Sequence, residues 1–444
     1  MVFRRLFDRS APRDAEAAAA DTEPEVDDGA PGTGEEIDDV PPEEVDAIDW
    51  AKRAREVVRG GSSTGSKRPS ALHGTDSPAG PTHFVQAHGC HLIAADGGEY
   101  LDCTMALGAV TLGYAEPRVS RAAAEAALHG NVAGLAPVRE VELAERLSTV
   151  IPCAEQVQFL KSGAEAVSAA VRIARAATGR DLVVCSGYFG WHDWANEGKG
   201  IPASARADVR RVPFDDIAAL ERATAEGNRL AAIVIEPVIE ALPSVAWVER
   251  ARAICDATGA VLVFDECKTG FRLRTAGYQE LSGITPDLAV FGKGLANGFP
   301  LSVVCGSRAV MEGAGDAWIS STLASENVAL AAAAAVLDWY EEADIPEALA
   351  RIGGELRGAV DAAITASGLP GIATVGLDPM WLIRFDDPAR EVRFLELAAA
   401  EGVLFKRGAY NYASVAHDED AVAEVERAAS AALVAIRAEA EGRA

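Results

Sequence analysis

Cations are scarce in this chain. Its 41 Lys and Arg stand against 67 Asp and Glu, a net charge of −26. A surface of that sign repels polyanions, which excludes nonspecific nucleic-acid binding. Long apolar runs are also missing: none reaches the length that spans a bilayer, and residues 1–7 are too short and lack the apolar core of a signal peptide. Cysteine is sparse. The seven residues (Cys90, Cys103, Cys153, Cys185, Cys255, Cys267 and Cys305) are an odd number with no C-x-x-C pair. That pattern excludes a disulfide framework and a zinc site, and it predicts reduced thiols in a cytoplasmic protein with no metal centre.

Nearly half of the negative charge sits in residues 1–49, which hold sixteen Asp/Glu and four Lys/Arg. The leader, residues 1–48, is rich in Ala, Gly and Pro and poor in bulky apolar residues. Such a segment cannot bury enough surface to offset its ordering entropy, and disorder is expected. Residues 49–105 hold a short helix ended by Gly60-Gly61 and then a β-meander, His83–Ala87, Cys90–Ala94 and Tyr100–Cys103, with turns at His88-Gly89 and Asp96-Gly97-Gly98.

From residue 106 to 328, helices alternate with short apolar strands: Gln156–Leu160, Leu182–Cys185, Val209–Val212, Ala232–Ile235, Val261–Asp265, Leu288–Phe291 and Ser302–Cys305. Alternation of this kind predicts an α/β fold with a mainly parallel, doubly covered seven-stranded sheet. An Ala-rich helix over Val328–Tyr340 links it to a C-terminal part, residues 329–444, of mixed helices and strands.

Two of these strands end in chemistry. Val261-Leu262-Val263-Phe264-Asp265-Glu266 closes on carboxylates, and Leu288-Ala289-Val290-Phe291-Gly292-Lys293 delivers a lysine. Open α/β sheets bind ligands at the carboxyl ends of their strands. A carboxylate and an amine converging there suit pyridoxal phosphate (PLP), with Lys293 forming the Schiff base (internal aldimine) and Asp265 keeping the ring nitrogen protonated. The alternative is a buried ion pair. A third strand runs into Lys161-Ser162-Gly163-Ala164-Glu165, the start of an amphipathic helix ending near Thr178. Its free N–H groups and dipole favour a phosphate, although Ser162 could equally be a plain N-cap.

The motifs Phe264-Asp265-Glu266-Cys267-Lys268-Thr269-Gly270-Phe271-Arg272 and Gly292-Lys293 through Gly298-Phe299-Pro300 resemble those of the class III (fold type I) PLP-dependent aminotransferases, in particular the glutamate-1-semialdehyde aminomutase-like branch. The resemblance runs from about Ala51 to the C-terminus. It implies a large cofactor domain and a discontinuous α+β small domain made of the meander and the C-terminal part, with the Ser302–Cys305 strand antiparallel. It also implies phosphate binding by Ser162, Gly163 and Ala164, a ring stacked on Tyr188 where the usual neighbouring His is Phe189, and a site-edge carboxylate at Glu236. Thr322 would reach the phosphate of a second copy, which implies a homodimer with shared active sites.

The departures fall on the substrate side. The branch has an Arg for the substrate carboxylate where this chain has Lys67, and a Glu where it has Ala409. Arg407, Tyr410 and Asn411 could form a different substrate wall. The expected function is transfer of an amino group from an amino-acid donor to an unassigned carbonyl acceptor through Lys293 and Asp265. The alternative is an isomerase on the same scaffold, an intramolecular aminomutase or a racemase/epimerase.

Overall fold

Strands that are buried on both faces carry continuous apolar side chains, and the central sheet is built from such strands. In the computed structural model, which describes residues 49–442 apart from 77 and 316, Leu182–Ser186, Leu230–Ile235, Val261–Asp265, Leu288–Phe291 and Ser302–Gly306 are buried at every position. The acidic leader, residues 1–48, lies outside the described residues.

Seven strands form this sheet in the order Gln156–Leu160, Ser302–Gly306, Leu288–Phe291, Val261–Asp265, Leu230–Ile235, Leu182–Ser186, Val209–Arg211. All run parallel except Ser302–Gly306, which is antiparallel to both of its neighbours. The expected strands and the antiparallel exception are therefore found. One consequence places the site: the carboxyl ends of six strands and the amino end of the seventh lie along a single edge.

Helix Gly163–Thr178 covers one face of the sheet. Ser162 and Glu165 form a capping box at its start, Gly179 ends it in the left-handed conformation, and its Val and Ile residues and most of its Ala residues are buried. On the other side the Ala-rich helix Asn327–Glu342 packs against Pro117–Leu128. The meander strands Phe84–His88, His91–Ala94 and Glu99–Asp102 are joined by Val403–Leu404, which pairs parallel with the last of them. The two ends of the chain thus share a sheet, which supports the proposed discontinuous small domain. Two long helices in the C-terminal part, Ile345–Ser367 and Glu419–Ala440, pack on one another. Among the described residues no helix is long and apolar enough to cross a membrane.

Arg272 locks the parts together. It is 1 % exposed and donates to the carbonyls of Gly108 (2.7 Å), Ala413 (3.1 Å) and Pro379 (3.3 Å), with its guanidinium 4.7 Å from the Tyr412 ring centre. No carboxylate pairs with it among the described residues, and burial holds it below the ordinary arginine range. Its Gly108 partner ends a run of four left-handed residues, Met105 (φ 39°), Ala106 (51°), Leu107 (60°) and Gly108 (81°). For the three with a Cβ this conformation costs roughly 1–2 kcal/mol each, so the turn needs outside support. The Asp102 side chain accepts from Thr104 N–H at one end of the turn, and Arg272 holds the other.

Arg272→Met is therefore expected to leave three buried carbonyls short of a donor and to destabilise the fold by about 3 kcal/mol or more. The readout is a lower urea midpoint; an unchanged midpoint would show that these bonds contribute no stability.

Candidate active site

Asp265, Glu236 and Lys293 each sit at or just past the end of a strand. Asp265 is the last residue of its strand, is 6 % exposed, and accepts the Cys267 N–H at 3.1 Å. The Cys267 thiol also bonds to this carboxylate, and no further donor reaches it among the described residues. Burial pushes its carboxyl up to about 6; the nearby Glu236 carboxylate adds to the shift and the Lys293 ammonium opposes it. Lys293 lies three residues beyond Val290, the register partner of Asp265. It is exposed, is held at a left-handed φ of 43°, and makes no hydrogen bond or ion pair among the described residues. The two groups are therefore not a structural ion pair. They feel each other's charge, yet each keeps an unused face.

Next in the sheet, Gly187-Tyr188 follows Leu182–Ser186 and Glu236 follows Leu230–Ile235. The Tyr188 N–H donates to Glu236 Oε2 at 2.9 Å, and the ring is 69 % exposed, a flat apolar face without a cover. Gly190 (φ 82°) sets this turn against the helix start: a Cβ there would lie 2.3 Å from that of Ala164. Phe189 is 1 % exposed and belongs to the core.

At the helix start, Glu165 Oε2 accepts from Ser162 N–H (2.8 Å) and Lys161 N–H (3.1 Å), while Ser162 Oγ accepts Glu165 N–H at 3.3 Å. That leaves the Gly163 and Ala164 N–H groups without acceptors among the described residues, at the positive end of a 16-residue helix. Ser302, from the antiparallel strand, donates to Ser162 O at 2.8 Å and steadies the loop. Lys161 points elsewhere, to Glu326 at 2.8 Å, which caps the Asn327–Glu342 helix. Thr322, in the loop before that cap, is exposed.

These features fit pyridoxal phosphate. Two free N–H groups at a helix start suit its phosphate, the open Tyr188 face suits its ring, the buried acceptor Asp265 suits its nitrogen, and the unpaired Lys293 amine suits its aldehyde.

Placement of the expected substrate residues divides. Tyr410 joins the site: its hydroxyl lies 3.3 Å from Lys268 Nζ, which pairs with Glu236 Oε1 at 2.7 Å. Arg407 and Asn411 make fold contacts instead. Arg407 faces Glu391 (3.6 Å) and donates to Ser70 O (3.3 Å); Asn411 is fully buried, its Oδ1 accepting the Lys406 N–H at 2.8 Å. Lys67 ends the short turn Gly65–Lys67 and edges a cavity of about 180 Å³ lined also by Asp102, Tyr114 and Phe405. No hydrogen bond or ion pair joins it to Asp265, Lys293 or Glu236 among the described residues.

Lys268 escaped the sequence reading, although the only lysine inside the acidic motif was its visible signal. It is 6 % exposed; burial works to lower its ammonium, but Glu236 together with Tyr410 and Tyr412 outweighs that and the net shift is upward. Glu266, beside Asp265 in sequence, serves the fold. It is fully buried and accepts the N–H groups of Tyr278 (2.9 Å) and Gln279 (3.0 Å) and the Thr269 hydroxyl, and burial pushes it up to about 7.

Comparison with known proteins gives a consistent result. The aminotransferase class-III family matches residues 75–192 and 199–416. The 2'-deamino-2'-hydroxyneamine transaminase of Streptomyces kanamyceticus is 35% identical over 343 residues, 76% of this chain and 86% of that protein. The glutamate-1-semialdehyde 2,1-aminomutase of Thermomicrobium roseum is 33% identical over 395 residues, 80% of this chain and 91% of its own length. Among solved structures, the PLP internal aldimine form of the FumI protein of Sphingopyxis sp. MTA144 superposes with a TM-score of 0.84 at 30% identity, covering 88% of this chain and 97% of that one.

The raised Asp265 carboxyl gives a pH test on cofactor-free protein. Its charge costs stability above about pH 6 and nothing below its ordinary 3.8. Asp265→Asn should therefore melt higher than the parent at pH 8, by the equivalent of about 1–3 kcal/mol. The gain should shrink as pH falls through 6 and vanish near 4. A pH-independent difference in melting temperature would refute the assignment.

Proposed function

The chain belongs to the class III aminotransferase family, and from that premise we propose how its own residues carry out PLP-dependent transamination. The observation that carries the proposal is the pairing of an unpartnered Lys293 amine with a buried, half-satisfied Asp265 at one sheet edge.

Bound PLP supplies an aldehyde for the amino group and a ring that takes up the electron pair left when the substrate carbon loses its proton. Gly163 and Ala164 N–H groups would bind its phosphate, and the Ser162 hydroxyl would add a third donor by giving up its bond to Glu165 Oε2 (3.0 Å). Tyr188 covers one ring face. Asp265 holds a proton on the ring nitrogen, and the developing positive charge there supplies the cation that the buried carboxylate lacks in the protein alone. The Lys293 amine would be the base that takes the proton from the substrate carbon and the acid that returns it on the far side of the nitrogen, a 1,3 shift. Glu236, pinned to Tyr188 N–H and Lys268, fixes the edge of the pocket.

The donor is an amino acid and the acceptor a carbonyl compound. One feature favours transfer over isomerisation: Ala409 stands where the aminomutase branch has a carboxylate. Thr322, exposed beside the Lys161–Glu326 link, supports a homodimer in which it reaches the phosphate of a second copy. The scattered, buried, free cysteines support a cytoplasmic setting.

Titrating the purified holoenzyme with amino donors, without acceptor, tests the reading. The visible absorption of the cofactor should be lost with formation of one keto product per site. Lys293→Ala should retain phosphate-anchored cofactor but react at least about a thousandfold more slowly, since both its covalent and proton-transfer roles vanish. Persistence of the band while a substrate's amino group changes position or configuration would support the isomerase, and normal rates in Lys293→Ala would overturn the mechanism.

A further inference from the structure

Tyr410 has a hydroxyl oxygen that is already fully engaged as an acceptor. Glu240 N–H donates to it at 3.0 Å and Lys268 Nζ at 3.3 Å, and the same ammonium lies 4.5 Å from the ring centre. A phenol offers two lone pairs and one proton. Both lone pairs are taken, so the proton is what remains, and it has no acceptor among the described residues. Tyr410 is only partly buried and borders the site through Lys268 and Glu236.

The cations around this proton are already committed. Lys268 is neutralised by Glu236 at 2.7 Å, Glu236 is held in turn by Tyr188 N–H, Arg407 faces Glu391, and the Lys406 ammonium spends its donors on the carbonyls of Ala71 (3.1 Å) and Ser66 (3.3 Å). A carboxylate is best held by an uncommitted cation, and arginine suits it through paired N–H groups. What this wall offers is a neutral O–H donor fixed in direction.

We propose that the Tyr410 hydroxyl donates to an uncharged hydroxyl oxygen on the second substrate, a hydroxylated carbonyl compound and its amine counterpart, and that Lys268 is the positioning residue that aims it. The inference rests on the transamination reading and adds the substrate class.

The test uses holoenzyme without acceptor and four donors: L-alanine and L-glutamate, which carry carboxylates, and serinol and 6-amino-6-deoxyglucose, which carry hydroxyls. Stopped-flow absorption of the cofactor gives a maximal rate and a half-saturation concentration for each. The parent enzyme is expected to react with at least one hydroxylated amine. Tyr410→Phe should raise the half-saturation concentration for that amine about fivefold to tenfold with a much smaller change in maximal rate. It should also lower the ratio of hydroxylated-amine to alanine efficiency by the same factor. Lys268→Met should shift the ratio in the same direction and Lys268→Arg should restore most of it. The double variant Glu236→Gln/Lys268→Met provides a charge-neutral version if the single loss unfolds the protein. Reaction with alanine or glutamate but with neither hydroxylated amine would overturn the proposal, as would equal effects of Tyr410→Phe on both donor classes. Failure of all four donors to alter the absorption would overturn the transamination reading and this inference with it.

Discussion

Asp265 is buried at the end of a central strand with a single N–H donor and no permanent cation, and its carboxyl is pushed up to about 6 as a result. Water cannot solvate it, and the Lys293 charge only partly offsets the burial. An arrangement of this kind is unfavourable in the protein alone and becomes favourable when a protonated ring nitrogen arrives. The surrounding structure keeps Asp265 in this condition. Phe264 and Phe291 are fully buried on one face of the strand pair, Cys267 fills the space beside Gly163, and Glu236 adds a second negative charge. Affinity for the cofactor thus draws on a cost that the fold has already met through its buried sheet.

Arg272 joins separate parts of the chain beside this sheet. It ties the left-handed turn at Gly108, the Pro379 carbonyl at the start of the Met380–Phe385 strand, and Ala413 after Tyr412. Three sequence regions therefore meet at one planar cation whose fork can serve several carbonyls at once. The same segment that ends at Ala413 begins with Tyr410. The contact that secures the fold thereby also fixes the register of the substrate wall.

Much of this was legible in the sequence because it is written locally. A strand buried on both faces is a continuous apolar run, and an ionisable residue at its end is conspicuous, so Asp265, Lys293 and Glu236 could be placed before any coordinates. Ser162 with Glu165 three residues on is likewise a local signature of a helix start. The left-handed turn was not legible: Met105, Ala106 and Leu107 have no Gly or Asn to announce it, and only tertiary contacts hold them there. Nor were the fates of Arg407 and Asn411. Their types suit a substrate site, but Glu391 and the Lys406 backbone reached them first. The pairing of Lys268 with Tyr410 spans 142 residues and has no periodicity to betray it.

That long-range pair also bears on how one scaffold changes substrate while its cofactor chemistry stays fixed. The residues around Asp265 and Lys293 answer to a cofactor that does not vary, so they sit on strand ends and a helix start, the stiffest parts of the molecule. Tyr410 sits on the segment beyond Arg407, and Lys268 in the tight loop after Asp265, where substitution disturbs no strand. A lysine placed there alone would be a buried cation without a counter-ion, an arrangement that costs several kcal/mol. Glu236 removes that cost, since its carboxylate already stands at the site edge, bound to Tyr188 N–H. Lys268 therefore adds a cation that Glu236 already matches, and it gives Tyr410 a fixed direction. Changing what the wall recognises then needs only a change of side chain at these two positions, with the proton-transfer machinery left in place.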